Sequence, residues 1–153
     1  MLIRKDEYNE FPKWITYAIA FVLSILINVV EPRLLKNIFP IEIIAKLIIM
    51  QTSIIFILVA AVVRINRHVY LIAAVTYEDT KRMTWKERDR MAKAFHKAIT
   101  IPMLFILIYS IASVIYSFPL KTYVSIVLAA MCIMGFTGYI LMIRFHDLYK
   151  GEK

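Results

Sequence analysis

Four long apolar segments constrain this chain more than any other feature of its sequence. They cover residues 14–30, 41–63, 98–120 and 122–143, and the only charged residues inside them are Glu42 and Lys46. A helix advances about 1.5 Å per residue, so about 20 apolar residues cross the roughly 30 Å hydrocarbon core of a bilayer. Such runs, in a chain that is 61% hydrophobic, argue against a water-soluble domain. The sequence predicts an all-α membrane protein, a four-transmembrane-helix bundle that forms one integral membrane domain over residues 1–153.

The ends of these segments predict how the helices connect. Pro32 follows the first segment, and a proline disfavours helical backbone in the residue before it, so we expect the first span to end at Glu31. Lys121 alone separates the third segment from the fourth. A link this short predicts that these two spans form an antiparallel hairpin.

The basic residues predict the orientation of the bundle. Most of the 19 lysines and arginines lie before the first span, between the second and third spans, or after the fourth. Short loops rich in lysine and arginine stay in the cytoplasm. We therefore expect a multi-pass protein of the cytoplasmic membrane with both termini in the cytoplasm.

Residues 64–97 are predicted to form a cytoplasmic helical hairpin between the second and third spans. Apolar residues recur there at helical spacing, and Thr84 with Glu87 fits a capping box at the start of the second arm. The hairpin is strongly cationic, which favours an acidic cytosolic protein or anionic lipid headgroups as its partner, whereas the absence of a recognised motif makes nucleic acid unlikely. The candidate binding residues are Arg67, Lys81, Arg82, Lys86, Arg88, Arg90, Lys93 and Lys97.

Polar residues within the spans are candidates for a pore or vestibule, because ionisable groups are costly in the membrane. Glu42 and Lys46 are four residues apart and could form an ion pair, although Lys46 could instead extend to the outer headgroups. The serines could also serve interhelical packing, and Ser125, Ala129 and Cys132 resemble a close-packing face. The pore or vestibule candidates are Asn28, Glu42, Lys46, Ser53, Ser110, Ser113 and Ser117.

The sequence offers no support for catalysis. It has no Gly-rich phosphate loop, HExxH or GxSxG motif, and it holds 3 glycines in total. His68, His96 and His146 come from separate segments, so surface histidines are favoured over a shared metal site or proton sensor. Cys132 is the only cysteine and supports neither a disulfide nor a cysteine metal site. We expect a protein that is not an enzyme and uses no metal or cofactor.

In size, charged inner loop and short tail, the chain resembles the small four-span membrane proteins of phage-exclusion and antiviral systems, such as the RexB family. This resemblance implies a role in membrane depolarisation or infection sensing. The leading hypothesis is a small membrane subunit, active as a homo-oligomer, that docks a cytosolic partner through the hairpin and forms or gates an ion path.

Residues 41–143 also look similar to the three-helix core of the Oxa1-like insertase family, which has a cytoplasmic hairpin after its first core helix. That resemblance implies a membrane-protein insertase or chaperone with Lys46 as a positive charge in a membrane groove and residues 14–30 as an added span. A third hypothesis is a membrane anchor or scaffold that conducts nothing.

Overall fold

The described part of the chain consists of helices and turns, without a strand. The computed structural model describes residues 25–69 and 77–150 together with Ile19, Val22 and Leu23, except for the side chains of residues 77–79, 142 and 145–150. A π-helical turn, Leu26–Val30, leads into helices α1 (Glu31–Leu35), α2 (Ile41–Asn66), α3 (Tyr77–Arg82), α4 (Trp85–Ile115) and α5 (Leu120–Lys150).

Three helices are long and apolar enough to cross a membrane. They are α2, α4 and the part of α5 over Leu120–Leu141. These helices confirm the prediction of an all-α, multi-pass membrane protein. Eight of the 17 residues of the predicted first span lie outside the described residues, as do residues 70–76 of the hairpin, residues 1–13 and residues 151–153. The span over residues 14–30, which would be the fourth membrane-spanning helix beside the three described, therefore stays a prediction, as do the hairpin and the orientation.

Helix α4 holds the bundle together because α2 and α5 both pack against it. One core cluster joins Met103 and Ile106 of α4 to Tyr123 and Val127 of α5, with Ile57 of α2 packed against it. A second cluster joins Val63, Val69, Met91 and Ala92 at the other end of the α2–α4 pair. Because lipid is as apolar as leucine, close packing and interhelical hydrogen bonds stabilise such contacts.

Large apolar side chains cover the outside of the bundle. Leu128, Ile133 and Phe136 of α5 are exposed, as are Ile101 and Ile108 of α4. In water, exposed apolar area of this extent would favour aggregation. A hydrocarbon environment removes that cost, which agrees with the membrane-spanning lengths of these helices.

Helical backbone continues past Pro32, beyond the end predicted for the first span. Glu31 donates its N–H to the carbonyl of Leu26, which closes the π-helical turn, and Pro32 lies in the first turn of α1. A proline is tolerated there because the N–H groups of the first helical residues have no acceptor within the helix, so a residue without an N–H loses no bond. The π-helical turn therefore lets helical backbone run from Leu26 to Leu35.

The turn between α4 and α5 lies earlier than predicted. Helix α4 ends at Ile115 and α5 begins at Leu120, so Lys121 belongs to the first turn of α5 and is not the link. Ser117 has a positive φ of 53°, and Phe118 donates its N–H to the carbonyl of Ser113 at 3.1 Å. This bond and the left-handed residue before it form a Schellman motif, which ends α4 within the apolar run.

Candidate functional site

The ammonium of Lys46 is buried where the α4–α5 turn meets α2. Its Nζ donates to the carbonyl oxygen of Ser113 at 3.0 Å and to that of Phe118 at 2.9 Å. The residue is only 3% exposed, and its Nζ lies 5.7 Å from the centroid of the Tyr123 ring. The last carbonyls of a helix carry partial negative charge and lack partners within the helix, so they suit an ammonium donor.

These contacts connect three elements through one side chain. Lys46 comes from the second turn of α2, Ser113 from the last turn of α4, and Phe118 from the turn that leads into α5. The carbonyl of Ser113 also accepts the Schellman bond from the Phe118 N–H. The Lys46 ammonium and the Phe118 N–H therefore bind the same carbonyl and stabilise the same turn. We call Lys46, Ser113, Phe118 and Tyr123 the Lys46 lock.

A buried hydroxyl pair lies beside the lock. The Oγ of Ser110 lies 2.7 Å from the Oη of Tyr123 and donates to the carbonyl of Ile106 at 2.7 Å. Since that serine proton goes to Ile106, Tyr123 is the donor in the hydroxyl pair. The ring of Tyr123 stacks on Tyr109 with centroids 5.7 Å apart. A polar chain and an aromatic stack thus fix α5 against α4 at the same level.

The predicted pore or vestibule residues do not all converge. Lys46 and Ser113 meet at the lock, and Ser110 lies beside it, paired with Tyr123. Ser53 is buried elsewhere on α2, where it donates to the carbonyl of Ile49. Asn28, Glu42 and Ser117 are exposed. Ser117 lies outside α4 because the helix ends at Ile115.

The structure shows neither of the two arrangements that the sequence left open for Lys46, an ion pair with Glu42 or an extension to the outer headgroups, because the residue is only 3% exposed. Lys46 reaches across to α4, and the ion pairs found among the described residues involve Asp89. Glu42 stays exposed on α2. The buried carbonyl of Ser113 and the part-buried carbonyl of Phe118 offer the ammonium a drier environment than an exposed carboxylate does.

The face of α5 predicted for close packing is also exposed within the chain. Ser125, Ala129 and Cys132 are all exposed. Helix α5 packs instead through Tyr123, Val127 and Ala130. The hydroxyl bond of Tyr123 to Ser110 lies on this buried face.

Sequence reasoning missed a contact between Glu31 and Gln51. The Gln51 Nε2 donates to the Glu31 Oε1 at 2.7 Å, and both side chains are half-buried. This bond attaches the start of α1 to α2. Gln51 was the available signal, because a glutamine inside an apolar span is expected to seek an interhelical partner.

At the opposite end of the α2–α4 pair, three cations surround Asp89. Its carboxylate lies 2.9 Å from Arg64, 3.3 Å from Arg67 and 2.8 Å from Lys93. The guanidinium of Arg67 also lies 4.4 Å from the centroid of the Trp85 ring. We call Arg64, Arg67, Trp85, Asp89 and Lys93 the Asp89 clamp. The hydrogen bond from Lys93, with the charges of Lys93 and Arg64, lowers the pKa of Asp89.

The backbone of Arg67 has a conformation that favours the clamp. Arg67 has φ 54° and ψ 30°, the left-handed region in which glycine is the usual residue after a helix. Arg67 adopts this unfavourable backbone conformation, and its side chain contacts both Asp89 and Trp85. The chain turns away from α2 at this point.

The predicted capping box at the start of α4 is confirmed. Thr84 accepts from the Glu87 N–H, and the Glu87 carboxylate accepts from the Thr84 N–H at 2.6 Å and from its hydroxyl at 2.8 Å. The hydroxyl bond, followed by the backbone bond, lowers the pKa of Glu87. The box fixes the first turn of α4, which carries Trp85 into the clamp.

The predicted binding cations divide into two groups. Arg67 is in the clamp, and Arg88 is half-buried. The exposed members are Lys81, Arg82, Lys86, Arg90, Lys93 and Lys97, of which Lys93 also contacts Asp89. Four of these exposed cations share one face of α4.

That face continues along the whole helix as a single exposed stripe. Its positions recur at intervals of three, four or seven residues, which keeps them on one side of a helix. The first part is basic and the second apolar, and the change falls between Lys97 and Ile101. We call this surface the α4 stripe; it consists of Lys86, Arg90, Lys93, Lys97, Ile101, Leu104, Ile108, Ile111 and Ile115, all of them exposed.

The histidines contribute less to these surfaces. His68 and His96 are half-buried, and burial lowers the pKa of His68. The side chain of His146 lies outside the described residues. Within the described part of the chain, no group of three His, Cys, Asp or Glu residues could hold a metal ion.

Comparison with known proteins found no relative of this chain. No protein-family model, curated protein or solved structure matches the chain.

Proposed function

We propose that this protein is a small membrane subunit that docks an acidic cytosolic partner on the basic surface around the start of α4. The α4 stripe is the observation that supports this proposal. Its basic part is exposed and continuous with the apolar part of a membrane-spanning helix. A partner bound there would be held at the membrane surface.

The upper part of the stripe, meaning the part farther from the membrane, includes Lys86 and Arg90. The distance of these two residues from the membrane favours a protein over lipid as the occupant of this part. If the hydrocarbon begins at Ala98, Arg90 and Lys86 lie about 12 and 18 Å beyond it along the helix. The headgroup layer is only about 5–8 Å thick on each side. Arg90 and Lys86 therefore reach past the headgroups into water. Lys81 and Arg82 are exposed and shortly precede the start of α4 in the chain.

The fixed position of these cations supports docking. The capping box sets the first turn of α4, and the Asp89 clamp ties that turn to the end of α2. A preorganised surface loses less conformational entropy when a partner binds. The arrangement thus differs from a basic loop that only marks the cytoplasmic side.

The test is charge reversal at the upper cations. Lys81→Glu, Arg82→Glu and Lys86→Glu, combined in one variant, should lose the cytosolic proteins that copurify with the wild-type protein after crosslinking in cells. The matched control reverses exposed lysines near the other end of the bundle, Lys36→Glu and Lys121→Glu. Identical copurifying proteins in wild type and the first variant would contradict docking at this surface.

We further propose that the subunit acts as a homo-oligomer and that any ion path runs between copies. The Lys46 lock supports this placement, because it fills the junction of α2, α4 and α5 within one chain. Planar-bilayer recording of the purified protein, with and without a cytosolic partner, tests conduction. Absence of current in both conditions would leave the anchor or scaffold function.

The insertase hypothesis gains no support from the lock. A groove charge has to be accessible to an incoming chain, whereas Lys46 is buried and donates to Ser113 and Phe118. Crosslinking to nascent hydrophobic chains is the measurement that would favour the insertase.

A further inference from the structure

We propose that the lower part of the α4 stripe is a binding site for one anionic phospholipid. Lys93 and Lys97 would hold the phosphate, and the acyl chains would lie along Ile101, Leu104 and Ile108. This site is distinct from the docking surface proposed above, which uses the cations beyond the headgroup layer. It also does not depend on which side of the membrane the stripe faces.

The position of the two lysines carries the inference. Lys97 directly precedes the apolar segment of α4, and Lys93 lies about 7.5 Å beyond Ala98 along the helix axis. Both therefore fall within the headgroup layer of about 5–8 Å. A lysine at that level attracts an anionic headgroup, and the effect fades within a Debye length of about 8–10 Å.

The apolar residues below the lysines complete the site. Ile101, Leu104 and Ile108 are exposed on the same helical face as Lys93 and Lys97. A phospholipid has the same order of polarity along its length, with a charged phosphate above two acyl chains. The surface thus complements a lipid molecule in charge and in apolar extent, and a soluble acidic protein could not contact its lower half.

The two lysines differ in how strongly they are already neutralised. Lys93 contacts the Asp89 carboxylate at 2.8 Å, whereas Lys97 forms no ion pair with the described carboxylates. Asp89 is shared by Arg64 and Arg67, so a phosphate could recruit Lys93 without leaving that carboxylate unpaired. Lys97 is consequently the residue whose removal tests the site most directly.

The experiment uses the full chain in nanodiscs of phosphatidylcholine with one-fifth phosphatidylglycerol, followed by native mass spectrometry of the released protein. Wild-type protein should retain phosphatidylglycerol in excess of its share. Lys97→Gln should lower that retention about fivefold, the effect of one cation near an anionic surface. Lys93→Gln combined with Lys97→Gln should abolish the excess.

The matched control is Lys121→Gln, which removes an exposed lysine from the other end of the bundle. An equal loss in Lys97→Gln and Lys121→Gln would show general interfacial attraction and overturn the specific site. Equal retention of both lipids by the wild type would overturn it as well. If Lys97→Gln weakened binding of a polyglutamate peptide but left lipid retention unchanged, the lower stripe would belong to the acidic partner instead.

Discussion

The Nζ of Lys46 lies 2.9 Å from the carbonyl oxygen of Phe118, although the two residues are 72 positions apart in the chain. The contact places a charged side chain of α2 against the turn between α4 and α5. Backbone dipoles, rather than a carboxylate, stabilise the ammonium in an apolar setting. The Lys46 lock therefore defines how the three membrane-spanning helices meet at one end.

Replacing Lys46 by methionine should loosen this junction. The Ser113 carbonyl keeps its bond from Phe118, but the Phe118 carbonyl loses the donor described above, and an unsatisfied buried carbonyl costs about 1–3 kcal/mol. We expect Lys46→Met to lower the free energy of unfolding in micelles by about that amount. Amide exchange in the α4–α5 turn should become faster.

The control for this prediction is Lys121→Met, because Lys121 is exposed in the first turn of α5. It should change the free energy of unfolding by less than about 0.5 kcal/mol. A Lys46→Met protein as stable as the wild type, with unchanged exchange in the turn, would show that the lock contributes nothing to the junction.

The hydroxyl pair of Ser110 and Tyr123 should show energetic coupling. Tyr123→Phe removes the donor, and Ser110→Ala removes the acceptor, so the double variant should lose less than the two single variants together. Interhelical hydrogen bonds in membranes average about 0.6 kcal/mol, which sets the expected coupling. Unfolding in a mixed-micelle denaturant series measures it. Tyr139→Phe, at an exposed position of α5, is the control and should not couple to Ser110→Ala.

Periodicity and local motifs predicted the parts of this fold that depend on neighbouring residues. The apolar runs predicted the three membrane-spanning helices, and Thr84 with Glu87 predicted the start of α4. Each of these signals is carried by residues that are neighbours in the sequence. The end of α4 was not predicted. Ser117 adopts the left-handed conformation that glycine usually adopts, and no composition change marks it.

Periodicity and local motifs did not identify contacts between residues that are far apart in the sequence. The sequence singled out Lys46, but the partners that it offered were Glu42, one helical turn away, or the outer headgroups. The actual acceptors are main-chain carbonyls, which every residue carries, so their availability depends on where α4 ends. Asp89 likewise joins Arg64 and Arg67 because α2 and α4 pack side by side, and the sequence spacing does not reveal that packing.

The left-handed backbone of Arg67 predicts an unusual order of stability among variants. Both Arg67→Ala and Arg67→Gly lose the contacts to Asp89 and Trp85, but only alanine keeps the cost of the positive φ. We expect the glycine variant to be more stable than the alanine variant by about 1 kcal/mol. Arg64 supplies the matched control because it is in the last turn of α2, where helical backbone makes glycine less stable than alanine. The same order at both positions would contradict the role of the backbone at Arg67.

The Asp89 clamp should make stability depend on pH at the acidic end. The hydrogen bond from Lys93 is the main cause that lowers the pKa of Asp89 in the folded protein. A lowered folded pKa means that the stabilisation is complete above the unfolded carboxyl pKa of about 3.9 and disappears as the pH falls through the folded value. We therefore expect the free energy of unfolding to be level above about pH 5 and to decline below about pH 4.

Comparison of two variants isolates the contribution of Asp89 from that of other carboxylates. Asp89→Asn removes the titrating group, so its stability should decline less steeply with acid than that of the wild type. Glu42→Gln removes an exposed carboxylate outside the clamp and should leave the wild-type slope unchanged. Denaturant titrations in micelles from pH 7 to pH 3 give all three slopes. Equal slopes in the wild type and Asp89→Asn would mean that the three cations do not lower the pKa of Asp89 in the folded state below its value in the unfolded state.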